Sequence, residues 1–168
     1  ASSLVLGKWL AVSTMSLATL FGTIASFALS ALLIRDEALS AEVSFGFPEA
    51  GAMMVVLGPF CLLVSALLML AALFARGFKE AQASTSIIVS AVGLVPSLSM
   101  MLSLQDAPWQ LLVPSLGQHM VLLRTFRGSP VGWVDFAVPA GVCAVLCTVA
   151  LWTLVRLLGR EAIVYARS

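Results

Sequence analysis

The sequence predicts an all-helical, polytopic membrane protein: four transmembrane helices, with a re-entrant or interfacial helical hairpin between the third and fourth. Three observations predict this class. Charged residues are absent from Trp9 to Ile34, from Ala50 to Ala75, from Ala81 to Gln105 and from Phe136 to Val155. Each run reaches the ~20 residues that a helix rising ~1.5 Å per residue needs to cross a hydrocarbon core of ~30 Å. Hydrophobic residues make up 61% of the 168 residues and charged ones 10%, with a mean hydropathy of +1.08. Soluble domains carry about 25% charged residues, and helices apolar all round have no place on the surface of so small a soluble domain.

The spans are expected at about 9–34, 50–75, 83–104 and 133–155 of a single transmembrane domain. Residues 108–123 are also mostly apolar but too short to cross, and they carry Pro108, Pro114, Gly117, Gln118 and His119. A short apolar stretch broken by prolines fits a hairpin dipping into one leaflet. An amphipathic segment lying on the membrane surface is the alternative. A fifth crossing here would put the two chain ends on opposite sides.

Four crossings put both ends on one side, and the cations choose it. With the ends cytoplasmic, Lys8, Arg76, Lys79, Arg156, Arg160 and Arg167 lie inside, against Arg35, Arg124 and Arg127 outside. This distribution favours cytoplasmic ends by the positive-inside rule. The net charge of +1, with no run of Lys and Arg, gives no footing for nucleic acid.

Small residues recur every fourth position in the first span, at Thr14, Ala18, Gly22, Ser26 and Ser30. Such a face lets helix backbones approach closely in lipid, or lines a path with small hydroxylic groups. The last span has a shorter version in Ala140, Ala144 and Thr148. Gly58-Pro59 and Pro96 should loosen or kink the second and third spans.

Catalytic and metal-binding signatures are sparse. A zinc site needs three or four suitable ligands, and a metalloprotease needs His-Glu-x-x-His; the sequence has one histidine, His119. Cys61, Cys143 and Cys147 all lie in apolar runs and read as buried apolar residues rather than a disulfide framework. No phosphate-cradling Gly-x-x-x-x-Gly-Lys motif and no Gly-x-Ser-x-Gly elbow occurs. No acid or base sits in the middle of any span, where coupled carriers usually place one. Two other readings stay open: an intramembrane enzyme using His119 with a serine or Asp106, and a non-transporting scaffold subunit.

The segment ARGFKEAQ (residues 75–82), followed by an apolar helix with Pro96, resembles the permease subunits of type-2 ATP-binding-cassette exporters, nearest the sodium-efflux (NatB-like) branch. Three further places agree in order and spacing. They are Gly7-Lys8 before the first span, Pro114 to Gln118-His119 with Leu122-Leu123-Arg124 and Gly128, and Arg156 with Gly159-Arg160-Glu161 after the last span. The resemblance covers nearly the whole chain and implies the C-terminal membrane part of a longer permease in a prokaryotic plasma (inner) membrane. It implies a translocation path formed with a second permease half, homo- or heterodimeric. Separate ATPase subunits would bind ATP and magnesium, so this chain would hold no cofactor and catalyse no reaction. It would turn Arg76, Lys79, Glu80 and Gln82 towards the ATPase on the cytoplasmic face.

Overall fold

The computed structural model describes residues 2–33, 46–75, 77–101 and 107–165. They form α1 (Ser2–Leu33), α2 (Phe47–Phe74), α3 (Phe78–Met101), a 3-10 turn (Pro108–Leu112), α4 (Leu116–Phe126) and α5 (Trp133–Tyr165). Four of these helices are long and apolar enough to cross a membrane, over Ser3–Ser30, Phe47–Phe74, Phe78–Met101 and Trp133–Gly159. All four expected spans are present. The stretch expected to form a hairpin is the 3-10 turn followed by α4.

The helices outrun the charge-free windows. α1 starts at Ser2 rather than Trp9, α3 at Phe78 rather than residue 83, and α5 continues to Tyr165 rather than Val155. Hydropathy marks only the length that lipid demands. Backbone hydrogen bonding carries each helix on through flanks of good helix formers, such as Lys79, Glu80, Ala81 and Gln82 before α3's apolar run, or Arg156, Leu157 and Leu158 in α5. α2 begins where Pro48 supplies a preset helical φ and the Glu49 carboxylate accepts the Gly46 N–H at 2.8 Å. α2, α3 and α5 each continue through an internal proline: Pro59, Pro96 and Pro139.

α2 is the centre of the bundle and packs against α1, α3, α4 and α5. Leu63 and Ala66 of α2 form the core with Cys143, Cys147 and Ala150 of α5, and Trp9, Phe60, Leu67 and Leu151 close around them. On α5 the buried face is Pro139, Cys143, Cys147, Ala150 and Leu154, spaced three or four apart as one helical stripe requires. On α1 the inward residues are Val5, Trp9, Ser13, Ser16, Leu17, Leu20 and Ile24.

Few of the core contacts are polar, but they fall where the helices meet. The Leu62 carbonyl accepts from Trp9 Nε1 at 3.3 Å and from Cys147 Sγ at 3.6 Å, so one acceptor on α2 holds both α1 and α5. The Ser16 and Ser65 hydroxyls are 3.1 Å apart, and Ser65 also donates to the Cys61 carbonyl. In lipid these polar groups also find partners in the unfolded reference, so side-chain hydrogen bonds of this kind contribute only about 0.6 kcal/mol each on average, and close packing carries the rest.

The α4–α5 corner is closed by backbone. Gly128 has φ +65°, its N–H donates to the Thr125 carbonyl, and the Ser129 N–H donates to the Arg124 carbonyl. This is a Schellman termination, which needs a left-handed residue just past the helix and favours glycine. Asp135 then opens α5 by accepting the Gly132 N–H at 2.8 Å, and its other oxygen lies 3.7 Å from Arg124 Nη1.

Candidate functional site

A chain of linked polar contacts lies where α3, α4 and α5 meet, at the turn Pro114-Ser115 that opens α4. It follows from backbone demands. Pro96 has no N–H, so the Val92 carbonyl one turn earlier in α3 loses its helical partner. The Ser115 hydroxyl donates to that carbonyl. Its backbone N–H donates to Gln118 Oε1 at 2.7 Å, and Gln118 Nε2 donates to Cys143 Sγ of α5 at 3.0 Å. Ser115 and Gln118 are both buried. Two side chains from one turn therefore tie α4 to the middle of α3 and to α5.

The turn is tight. Ser115 has φ 74° and ψ −48°, a conformation costly for any residue with a Cβ. Gly117 lies so close to the 3-10 turn that a Cβ there would meet the Leu111 carbonyl oxygen at 2.8 Å. Only glycine allows that approach. Gln110, also buried, turns its side-chain oxygen back to the Ala107 N–H at 3.4 Å.

Of the expected hairpin residues, Pro114 is half-buried in the turn, Gln118 is central to the cluster, and His119 is half-buried on the next face of α4. The Nε2 atom of His119 is buried without a hydrogen-bond partner. Asp106, the acid considered for pairing with it, lies outside the described residues. Ser115, the closest serine in sequence, has its hydroxyl committed to Val92. Among the described residues no three His, Cys, Asp or Glu side chains gather as a metal site requires. Ser115 is the residue that sequence reasoning missed. The signal available was Pro96, which announces an unpaired carbonyl at Val92 without saying what covers it.

The expected face towards an ATPase lies at the α2–α3 joint. Lys79, Glu80 and Gln82 are exposed in the first turns of α3, which makes them helical rather than part of a loop. Arg76 lies outside the described residues. Ala18, Gly22, Ser26 and Ser30 are exposed in the single chain, and α1 packs on α2 through the neighbouring face. Gly22, Ser26 and Ser30 line an open groove of about 570 Å³ with Thr19, Thr23 and Phe27. The Thr19 and Thr23 hydroxyls donate to carbonyls of their own helix at 2.9 Å. Phe27 reaches Phe126 at the end of α4, with ring centroids 6.5 Å apart. In α5, Arg156 stacks over Trp152 at 4.0 Å, the cation–aromatic pair expected near a membrane interface.

Four apolar spans, three of them packed around α2, define the class: an integral membrane protein. No family model matches the chain, and no curated protein or solved structure matches it either.

Proposed function

We propose that this chain is a permease subunit of an ATP-driven exporter, forming part of a translocation path and driven by a separate ATPase. The observation that carries the reading is the place of the charged turn. Lys79, Glu80 and Gln82 are exposed at the joint between α3 and α2, and α2 packs against every other helix. A soluble partner pressing on that joint acts on the centre of the bundle. The absence of an acid or base in the middle of the spans agrees with an energy source on another chain. Both termini are cytoplasmic in this reading, and the partners are an ATPase, a second permease half and the bilayer.

Within this reading residues 108–126 enter the membrane from the outer side and return. Supporting it, Ser115 and Gln118 bond to mid-span residues Val92 and Cys143, while Arg124 meets Asp135 in the first turn of α5. Small residues on α1, including Gly22, Ser26 and Ser30, serve as the seam with the second half or as a wall of the path.

The test is photo-crosslinking in cells from Lys79 and Gln82 replaced one at a time by a photoreactive residue. Capture of a Walker-type ATPase at both positions is expected. Clean expression with no ATPase captured overturns the proposal and leaves the scaffold reading. The enzyme reading has one observation in its favour, the buried, unpartnered Nε2 of His119. It requires that His119→Ala abolish a chemical activity of the purified protein.

A further inference from the structure

Ser115 combines three observations that packing alone does not require. It holds a backbone conformation that is costly for any side-chain-bearing residue. Its hydroxyl lands on Val92, the one carbonyl of α3 that Pro96 frees. Its N–H is held by Gln118, which is itself fixed to Cys143 of α5. Beyond the proline, α3 is mostly exposed. Only Ser99 of the whole helix is buried, and Ser97, Leu98, Met100 and Met101 are exposed.

We propose that Ser115 is the latch of a hinge in α3: its hydroxyl caps the carbonyl freed by Pro96 and holds the segment beyond the proline in one orientation, and breaking that bond lets the segment swing. A proline in a membrane helix is tolerated when a neighbour satisfies the freed carbonyl. Here the neighbour is a single hydroxyl on a strained turn. The strain raises the energy of the latched state and brings it nearer to the open one, so a modest push on α4 shifts the balance. α4 is placed to deliver such a push, since its far end touches α1 through Phe126 and Phe27 and α5 through Arg124 and Asp135. The inference rests on the fold and not on the transport reading, and it holds for any membrane protein built this way.

The experiment measures distances in the whole chain in lipid nanodiscs, using bioorthogonal spin labels that leave the cysteines untouched. One pair joins Leu98, beyond the proline, to Leu146 on α5. The control pair joins Ile87, before the proline, to Leu146; all three positions are exposed. Ser115→Ala should shift the latched-to-open ratio about three-fold towards open at the Leu98 pair, the size of one side-chain hydrogen bond in lipid, and leave the Ile87 pair unchanged. Ser115→Gly should shift it less, because glycine loses the bond but also relieves the strain. Pro96→Ala restores an N–H for Val92, so adding Ser115→Ala to it should change nothing. Should Ser115→Ala alone fail to assemble, the double variant must assemble. The proposal is overturned if the Leu98 distances of Ser115→Ala match the unmodified protein, if both pairs broaden alike, if the two substitutions act additively, or if the double variant also fails to assemble.

Discussion

α2 and α3 adjoin in the chain, and both cross through an internal proline, yet they are held in opposite ways. α2 is surrounded: Val56, Leu63, Ser65 and Ala66 are buried, and its Leu62 carbonyl takes donors from two other helices. α3 is almost bare, with 6% of its most apolar 18-residue stretch buried against 22% for α2, and its polar tie to α4 is a hydroxyl on a carbonyl. The difference teaches that apolarity measures fitness for lipid and says nothing about attachment to protein. Attachment comes from close packing of side chains around α2 and from a repaired proline defect on α3.

The largest expected effect separates these two modes directly. Leu63→Ala should destabilise the protein by about 2–3 kcal/mol, the low part of the range for such truncations, because the removed side chain never faced water in the unfolded reference. Ile87→Ala on α3 removes as large a group from a residue 70% exposed and should stay within about 0.5 kcal/mol. Reversible unfolding in mixed micelles reads both. Equal costs would break the contrast and mean that another surface covers α3.

Gly117→Ala comes next. The new methyl group meets the Leu111 backbone, which has no rotamer to yield, so a loss of about 1–2 kcal/mol is expected. The loss should appear as loosening of α4 against the 3-10 turn while the α2–α5 core stays intact. Hydrogen exchange across residues 108–126, compared with 60–70, checks it. Protection lost equally in both segments would show that the turn and the core melt as one unit.

Much of this fold was legible in the sequence, for a physical reason. A bilayer imposes a length and excludes charge, so the charge-free runs located every span, and the prolines with Gly117 and Gln118 located the irregular segment. Which face of each helix packs was not legible. In a soluble helix burial leaves an apolar stripe; in lipid both faces are apolar and the stripe vanishes. The fourfold spacing of Ala18, Gly22, Ser26 and Ser30 falls on a face exposed in the single chain, while Trp9, Ser13, Ser16 and Leu17, one step round the helix, pack within it. Helix ends were equally hidden, since Lys79, Glu80 and Arg156 stop a hydropathy window without stopping a helix. The polar cluster joins Val92, Ser115, Gln118 and Cys143, and only the Ser115–Gln118 spacing is local enough to read along the chain.

Gln118→Ala tests the α5 side of the cluster and should cost about 1 kcal/mol. It strands the buried Ser115 N–H and removes the amide from Cys143. Gln118→Glu distinguishes geometry from charge: the acceptor for Ser115 survives, but a carboxylate among buried apolar neighbours is costly unless protonated. Unfolding in the same micelles reads both variants, and a glutamate as stable as glutamine at neutral pH would mean that water reaches the cluster.

The smallest effect belongs to the Arg124–Asp135 pair, where contact is 3.7 Å and both side chains are more than a fifth exposed. Asp135→Asn retains an oxygen for the Gly132 N–H and removes only the charge, so stability should change by less than about 0.5 kcal/mol, and that difference should fade as salt is raised. Asp135→Ala also removes the cap and should cost about 1 kcal/mol at any salt concentration. The gap between the two variants separates the cap from the ion pair. If Asp135→Asn costs as much as Asp135→Ala, and salt does not reduce it, the corner joining α4 to α5 is held by charge in a drier setting than its exposure implies. The hydroxyl latch on α3 would then have a second, ionic anchor at the opposite end of α4.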